Sequence, residues 1–249
     1  MQMQKDIHLT GKDLLGMVQV KPGDFGKFAI IAGTSERRDA ILKNLDKVIK
    51  NFSFMEYAFY TGYLGDIKVT VGNGGRFSAD SAITSEVICN GGVEYVIRAG
   101  SCGAMDENIK IGDVFIVEDI LRGDGVTPYY VKDDFKTVAN KEISDVLKIA
   151  AKNVGANFQS GKAWTTDALL RETREIVEAK RKEGAKAVDM VSSALLTIAQ
   201  LNNVKAGAIL AVSDNLITGE MGFINPRYYD AENFVIKTSL EAVKLLAKK

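Results

Sequence analysis

The chain has 249 residues, 46% of them hydrophobic, and 32 Lys+Arg balance 32 Asp+Glu for a formal net charge of zero. That length can bury a full core without cross-links, and the balanced charge excludes a global pull towards nucleic acid or a membrane surface. Two cysteines (Cys89 and Cys102) and one histidine (His8) exclude a disulfide framework, a multi-histidine metal site and any catalytic triad needing a second histidine.

The predicted elements alternate along the chain. The opening MQMQKDIHLT has no basic stretch leading into an apolar run, so no signal peptide is expected. No apolar run is long enough to span a membrane, and the cysteine usage suits a reducing cytoplasm. KFAIIAG (27–33) reads as a short buried strand ended by glycine. SERRDAILKNLDKVIKNF (35–52) has apolar residues at 41, 42, 45, 48 and 49, which predicts a helix with Ser35 as N-cap. YTGYLGDIKVTVG (60–72) predicts a hairpin, and SADSAITSEVICNGG (78–92) a helix with a small-residue face stopped by Gly91-Gly92.

VEYVIRAG (93–100) and GDVFIVEDIL (112–121) predict strands. Helices follow at 143–155, 171–184 and 190–203, then a strand at KAGAILAVSDN (205–215) and a C-terminal amphipathic helix with lysines in its last turn. Strand–helix alternation without repeats or linkers argues for a single α/β domain over 1–249, with a central mixed, mostly parallel twisted sheet flanked by helices.

In such sheets ligands bind beyond the carboxyl ends of the strands, which selects three places. Gly33 ends the first strand, and Arg37 follows at the start of a helix. This is either a plain strand–helix turn with a surface arginine or a seat for an anion. In VIRAGSCGA, Arg98 interrupts an apolar strand, and burying an unpaired guanidinium is costly. A carboxylate or an anionic ligand must meet it, and Gly100, Ser101, Cys102 and Gly103 offer free N–H groups and a hydroxyl. In AVSDN, Asp214 is either an Asx turn or a carboxyl placed to protonate a leaving group. Asp189 reads alone as an N-cap, and Trp164, the only tryptophan, as core or as a stacking surface.

Together these motifs resemble the nucleoside phosphorylase family that holds the hexameric purine nucleoside phosphorylases and the uridine phosphorylases. IRAGSCGA is close to that family's phosphate loop, VDMVSSALL to its ribose segment, AVSDN to a signature of the purine side, and DIHLTGKDLLGM to an N-terminal segment of the uridine side. Their order agrees from about residue 6 to the C-terminus.

The resemblance implies reversible phosphorolysis of a nucleoside to free base and ribose 1-phosphate, by a pentosyltransferase with inorganic phosphate as co-substrate and with no metal or organic cofactor. It puts phosphate on Gly33, Arg37, Arg98 and Ser101, and the base on Cys102, Gly103, Trp164 and Asp214. Asp189 and Met190 fall to the ribose, as does His8 from a neighbouring subunit of a homo-oligomer, a hexamer built as a trimer of dimers. Asp214 becomes the general acid, with Arg227 thirteen residues on as its partner.

Three positions depart from the pattern. Val191 stands where a ribose-gripping carboxylate is expected, Met55 where a cross-subunit phosphate arginine is expected, and Thr34-Ser35 replace Asp-Pro. Asp214 favours a purine. A uridine phosphorylase is the alternative, although LLRETREI offers Arg171 and Arg174 without the glutamine that pyrimidine enzymes use. A nucleosidase and a non-catalytic nucleoside-binding relative are the remaining readings.

Overall fold

The computed structural model of the protein describes residues 7–249. Helix α1 (Gly11–Met17) precedes β1 (Phe28–Ala32), α2 (Ser35–Leu42), β2 (Asp46–Phe54), β3 (Tyr57–Leu64), β4 (Ile67–Asn73) and α3 (Ser78–Asn90). Then come β5 (Tyr95–Ala104), β6 (Val114–Gly123), α4 (Lys141–Asn153), β7 (Phe158–Thr166), α5 (Arg174–Lys182), β8 (Ala185–Asp189), α6 (Ser192–Leu201), β9 (Lys205–Asn215) and α7 (Arg227–Leu246).

The nine strands form one sheet in the order β2-β3-β4-β1-β5-β8-β7-β6-β9, with β9 also pairing back onto β5. β5 is the junction. Its first half lies parallel to β1, its whole length lies parallel to β9, and Gly103 and Ala104 turn onto β8. Strands β5 to β9 thus close into a ring, while β1 to β4 extend from it as an open wing. A register shift between Cys102 and Gly103 lets β5 bend at this point, as a bulge does. The expected mostly parallel sheet is corrected to an even mixture. β1–β4, β1–β5, β5–β9, β6–β7 and β7–β8 are parallel, whereas β2–β3, β3–β4, β5–β8 and β6–β9 are antiparallel.

Alternation along β1 splits the core in two. Phe28, Ile30 and Ala32 join Ile143, Leu147, Val235 and Val243 under α4 and α7. Ala29 and Ile31 join Phe59, Phe115, Leu195 and Leu196 on the side of α3 and α6. The small face of α3 buries Ser81, Ala82, Thr84 and Ser85, and α3 packs against α6. Among the described residues no helix is long and apolar enough to cross a membrane.

The helix expected over 35–52 is half correct. α2 stops at Leu42, where the Asn44 amide bonds back to the Ala40 carbonyl at 2.9 Å. The rest becomes β2, because Phe52 stacks on Phe59 with centroids 5.0 Å apart and the backbone pairs with β3. The apolar Val48 and Ile49, which made the pattern look helical, are exposed. Thr34, not Ser35, is the N-cap of α2. β7 and β8 were not expected, since QSGK and AKAVD carry no strand pattern of their own. They form because β6 lies beside β7 and β5 beside β8.

Candidate active site

The end of β1 is held open. Gly33 carries no side chain, and a Cβ built on it would meet only the Gly75 carbonyl oxygen, at 3.8 Å. Thr34 accepts from the Arg37 backbone N–H at 3.3 Å, which fixes the first turn of α2. The Arg37 side chain, 7% exposed, then reaches across to β5. It donates to the Ala99 carbonyl at 3.2 Å and to Ser101 Oγ at 2.7 Å. Its Nη2 also donates to Glu232 Oε1 at 2.5 Å, a carboxylate from α7. Tyr228 Oη donates to the same oxygen at 3.1 Å and lies 3.2 Å from Ser101 Oγ. Burial pushes the Tyr228 phenol above its ordinary range.

Arg98 answers the question its sequence context posed. It is 4% exposed and meets a carboxylate: Nη2 donates to Asp189 Oδ2 at 2.9 Å, and Nε to Ser192 Oγ at 3.2 Å. Asp189 ends β8 instead of opening a helix, yet it still serves the head of α6. It accepts from the Ser192 N–H at 3.0 Å, from Ser192 Oγ at 2.6 Å and from Thr165 Oγ1 at 2.7 Å. The pair is buried on both sides, so losing one partner would strand a charge. Burial pushes the Arg98 guanidinium down, and Asp189 pulls it back up. Arg98 Nη1 and Arg37 Nε remain buried without an acceptor among the described residues.

The bulge after Cys102 sets Gly103 opposite Asp214. A Cβ on Gly103 would lie 3.0 Å from Asp214 Oδ2 and 2.5 Å from Leu216, so a larger residue there would displace these side chains. Ser213 Oγ lies 2.6 Å from Asp214 Oδ1 and 3.0 Å from the Cys102 carbonyl oxygen, and its single proton is shared between them. Cys102 is buried, and burial, then Asp189 and Asp214, hold its thiol well above the usual value, so it is a neutral lining group.

Two acidic residues were missed by sequence reading. Glu232 stands in an amphipathic helix, where a carboxylate carries no signal. Glu172 follows the short helical turn Leu169–Arg171, and its carboxyl is pushed up to about 7, by burial first and by the charge of Asp214 second.

Other expected residues stand apart. Trp164 is 4% exposed and packs in a cluster with Met105, Val177 and Val188, while its neighbour Thr165 faces Asp189. The Arg227 side chain lies along Gly112 and makes no hydrogen bond or ion pair among the described residues, so it is not paired with Asp214. Met190 offers its carbonyl to Ser78 Oγ at 3.0 Å, and Val191 is buried. Met55 is 75% exposed at the β2–β3 hairpin. His8 is exposed just before α1, which lies on α3 where Gly11 meets the Glu86 carbonyl. That is about 12 Å along α3 from Ser78, at 1.5 Å per residue.

A half-closed mixed sheet of this kind is the fold of the solved nucleoside phosphorylases that the chain matches. The uridine phosphorylase of Vibrio fischeri ES114 superposes with a TM-score of 0.83 at 22% identity, over 93% of this chain and 96% of that one. In sequence, a uridine phosphorylase of Thermococcus kodakarensis is 27% identical over 93% of this chain and 86% of its own length. A DeoD-type purine nucleoside phosphorylase of Vibrio cholerae is 28% identical over 91% and 95%. The sequence model of the phosphorylase superfamily matches residues 27–244, and the chain belongs to that superfamily as an enzyme of its pentosyltransferase branch.

Proposed function

We propose that the protein phosphorolyses a purine nucleoside reversibly, giving free base and ribose or deoxyribose 1-phosphate, with inorganic phosphate as its only co-substrate. Phosphate sits against Gly33, Arg37, Ser101 and the Arg98 side of β5. The base lies over Cys102 and Gly103, beneath Asp214. The ribose rests on Met190 near Asp189, with His8 supplied by a neighbouring copy of the chain in a homo-oligomer in the cytoplasm. Cleavage develops positive charge on the sugar and negative charge on the departing base. An anion beneath the sugar stabilises the first and is also the nucleophile. A proton from Asp214 to the purine N7 relieves the second, an effect of roughly 10²–10⁴-fold.

The observation that carries this reading is the spacing along β5. Ser101, bonded to Arg37, and Gly103, in register with Asp214, are two residues apart. The anion seat and the carboxyl therefore stand about 7 Å apart along the strand, a separation that a sugar ring can bridge. The purine preference rests on Asp214.

The test is base release from inosine, adenosine and uridine, each with and without phosphate. Phosphate-dependent release from a purine nucleoside, faster than from uridine, is expected. Faster release from uridine would move the substrate to pyrimidines. Release without phosphate would replace the reading with a hydrolase, and no release alongside a nucleoside-induced rise in Tm would replace it with a binding protein.

A further inference from the structure

The arginines at the anion seat are already balanced. Arg37 pairs with Glu232 and Arg98 with Asp189, so these four side chains sum to zero charge. The third arginine implied by the resemblance is Met55, which brings no charge. A phosphate dianion entering here needs a cation that is not already spent.

The segment between β4 and α3 passes through the site. The Gly74 N–H donates to the Ala32 carbonyl at 2.7 Å, beside the end of β1. The Gly75 carbonyl is the one group near the open side of Gly33. Ser78 Oγ donates to the Met190 carbonyl at 3.0 Å. The segment therefore bridges the phosphate seat and the sugar seat, and Arg76 stands midway along it. Arg76 is exposed, and among the described residues no hydrogen bond or ion pair holds it. Its charge is felt by Glu36, the residue before Arg37. The nearby Asp80 is taken up by the Tyr57 hydroxyl. The Arg76 fork is thus held by no hydrogen bond or ion pair among the described residues, and the acid whose charge it acts on, Glu36, adjoins Arg37.

We propose that Arg76 is the third phosphate-binding cation, supplied by the same chain that supplies Arg37 and Ser101. The proposal rests on the phosphorolysis reading above. Arginine suits the task because its planar fork grips two phosphate oxygens at once. Its free, solvated position means that it closes on phosphate as phosphate arrives.

The test compares wild type with Arg76→Gln and Arg76→Lys. Arg76→Gln is expected to raise the phosphate KM about tenfold or more, while the nucleoside KM stays within about twofold. Arg76→Lys is expected to recover part of the loss. An unchanged phosphate KM, an equal rise in both KM values, or a lysine variant as weak as the glutamine one would overturn the proposal. Should wild type show no phosphorolysis, the functional reading fails separately, and the rise in Tm caused by inorganic phosphate becomes the readout. Loss of that rise in Arg76→Gln supports Arg76. Its persistence in the variant, or its absence in wild type, overturns the proposal.

Discussion

Glu172 keeps a proton that a solvated glutamate loses near pH 4.5, because it is partly buried and faces Asp214. This shift acts on stability. Below about pH 4.5 folded and unfolded chains both hold the proton. Between that value and about 7 the unfolded chain ionises first, so stability falls as pH rises through this window. Glu172→Gln removes the titration and keeps the shape. Its Tm relative to wild type should therefore be higher at about pH 8 than at about pH 5. The same Tm difference at both pH values would show that Glu172 ionises normally.

At the scale of elements, the segment returning from β9 holds Asp214 in place. The Asn215 amide nitrogen donates to the carbonyls of Asp106 and Ile109 at 3.0 and 2.9 Å, and Asp214 bridges to Met221. Gly222 then passes so close that a Cβ on it would sit 1.8 Å from the Ser213 carbonyl oxygen. Gly222→Ala must push this segment off the strand end. Overpacking of this kind costs about 1–3 kcal/mol. Urea unfolding should show that loss, with kcat falling further than either KM rises. A variant with wild-type stability and kcat would mean that the segment moves aside freely.

Strand runs such as FAIIA, YVIRAG and AILAV were legible because their own apolar, β-branched residues demand burial. β2, β7 and β8 were not, because neighbouring strands decide them. The site divides in the same way. Arg98 looked out of place in sequence while Asp189 read as an N-cap, and their pairing spans 91 residues, so no local pattern encodes it. Glu172 and Glu232 were invisible among 32 acidic residues, since only the fold brings them against Asp214 and Arg37.

At the scale of the molecule, β5 is bonded along its whole length by β9, over its first half by β1 and at its tip by β8. β2 lies at the end of the sheet and is paired on one side only. Amide hydrogen exchange should therefore be slowest in β5, near the rate set by global unfolding, and much faster in β2. Similar rates in the two strands would mean that the ring opens independently of the rest. The closure of that ring also sets an order of assembly. During synthesis β5 emerges with β1 already present, but one edge and its bent tip stay bare until β8 and β9 follow, about a hundred residues later by strand numbering. A ribosome-bound chain that ends before β9 leaves the edge of β5 that β9 covers unpaired and open to wrong partners. The strand that carries Arg98 and Ser101 is therefore completed on both edges only when the last strand of the chain has been made.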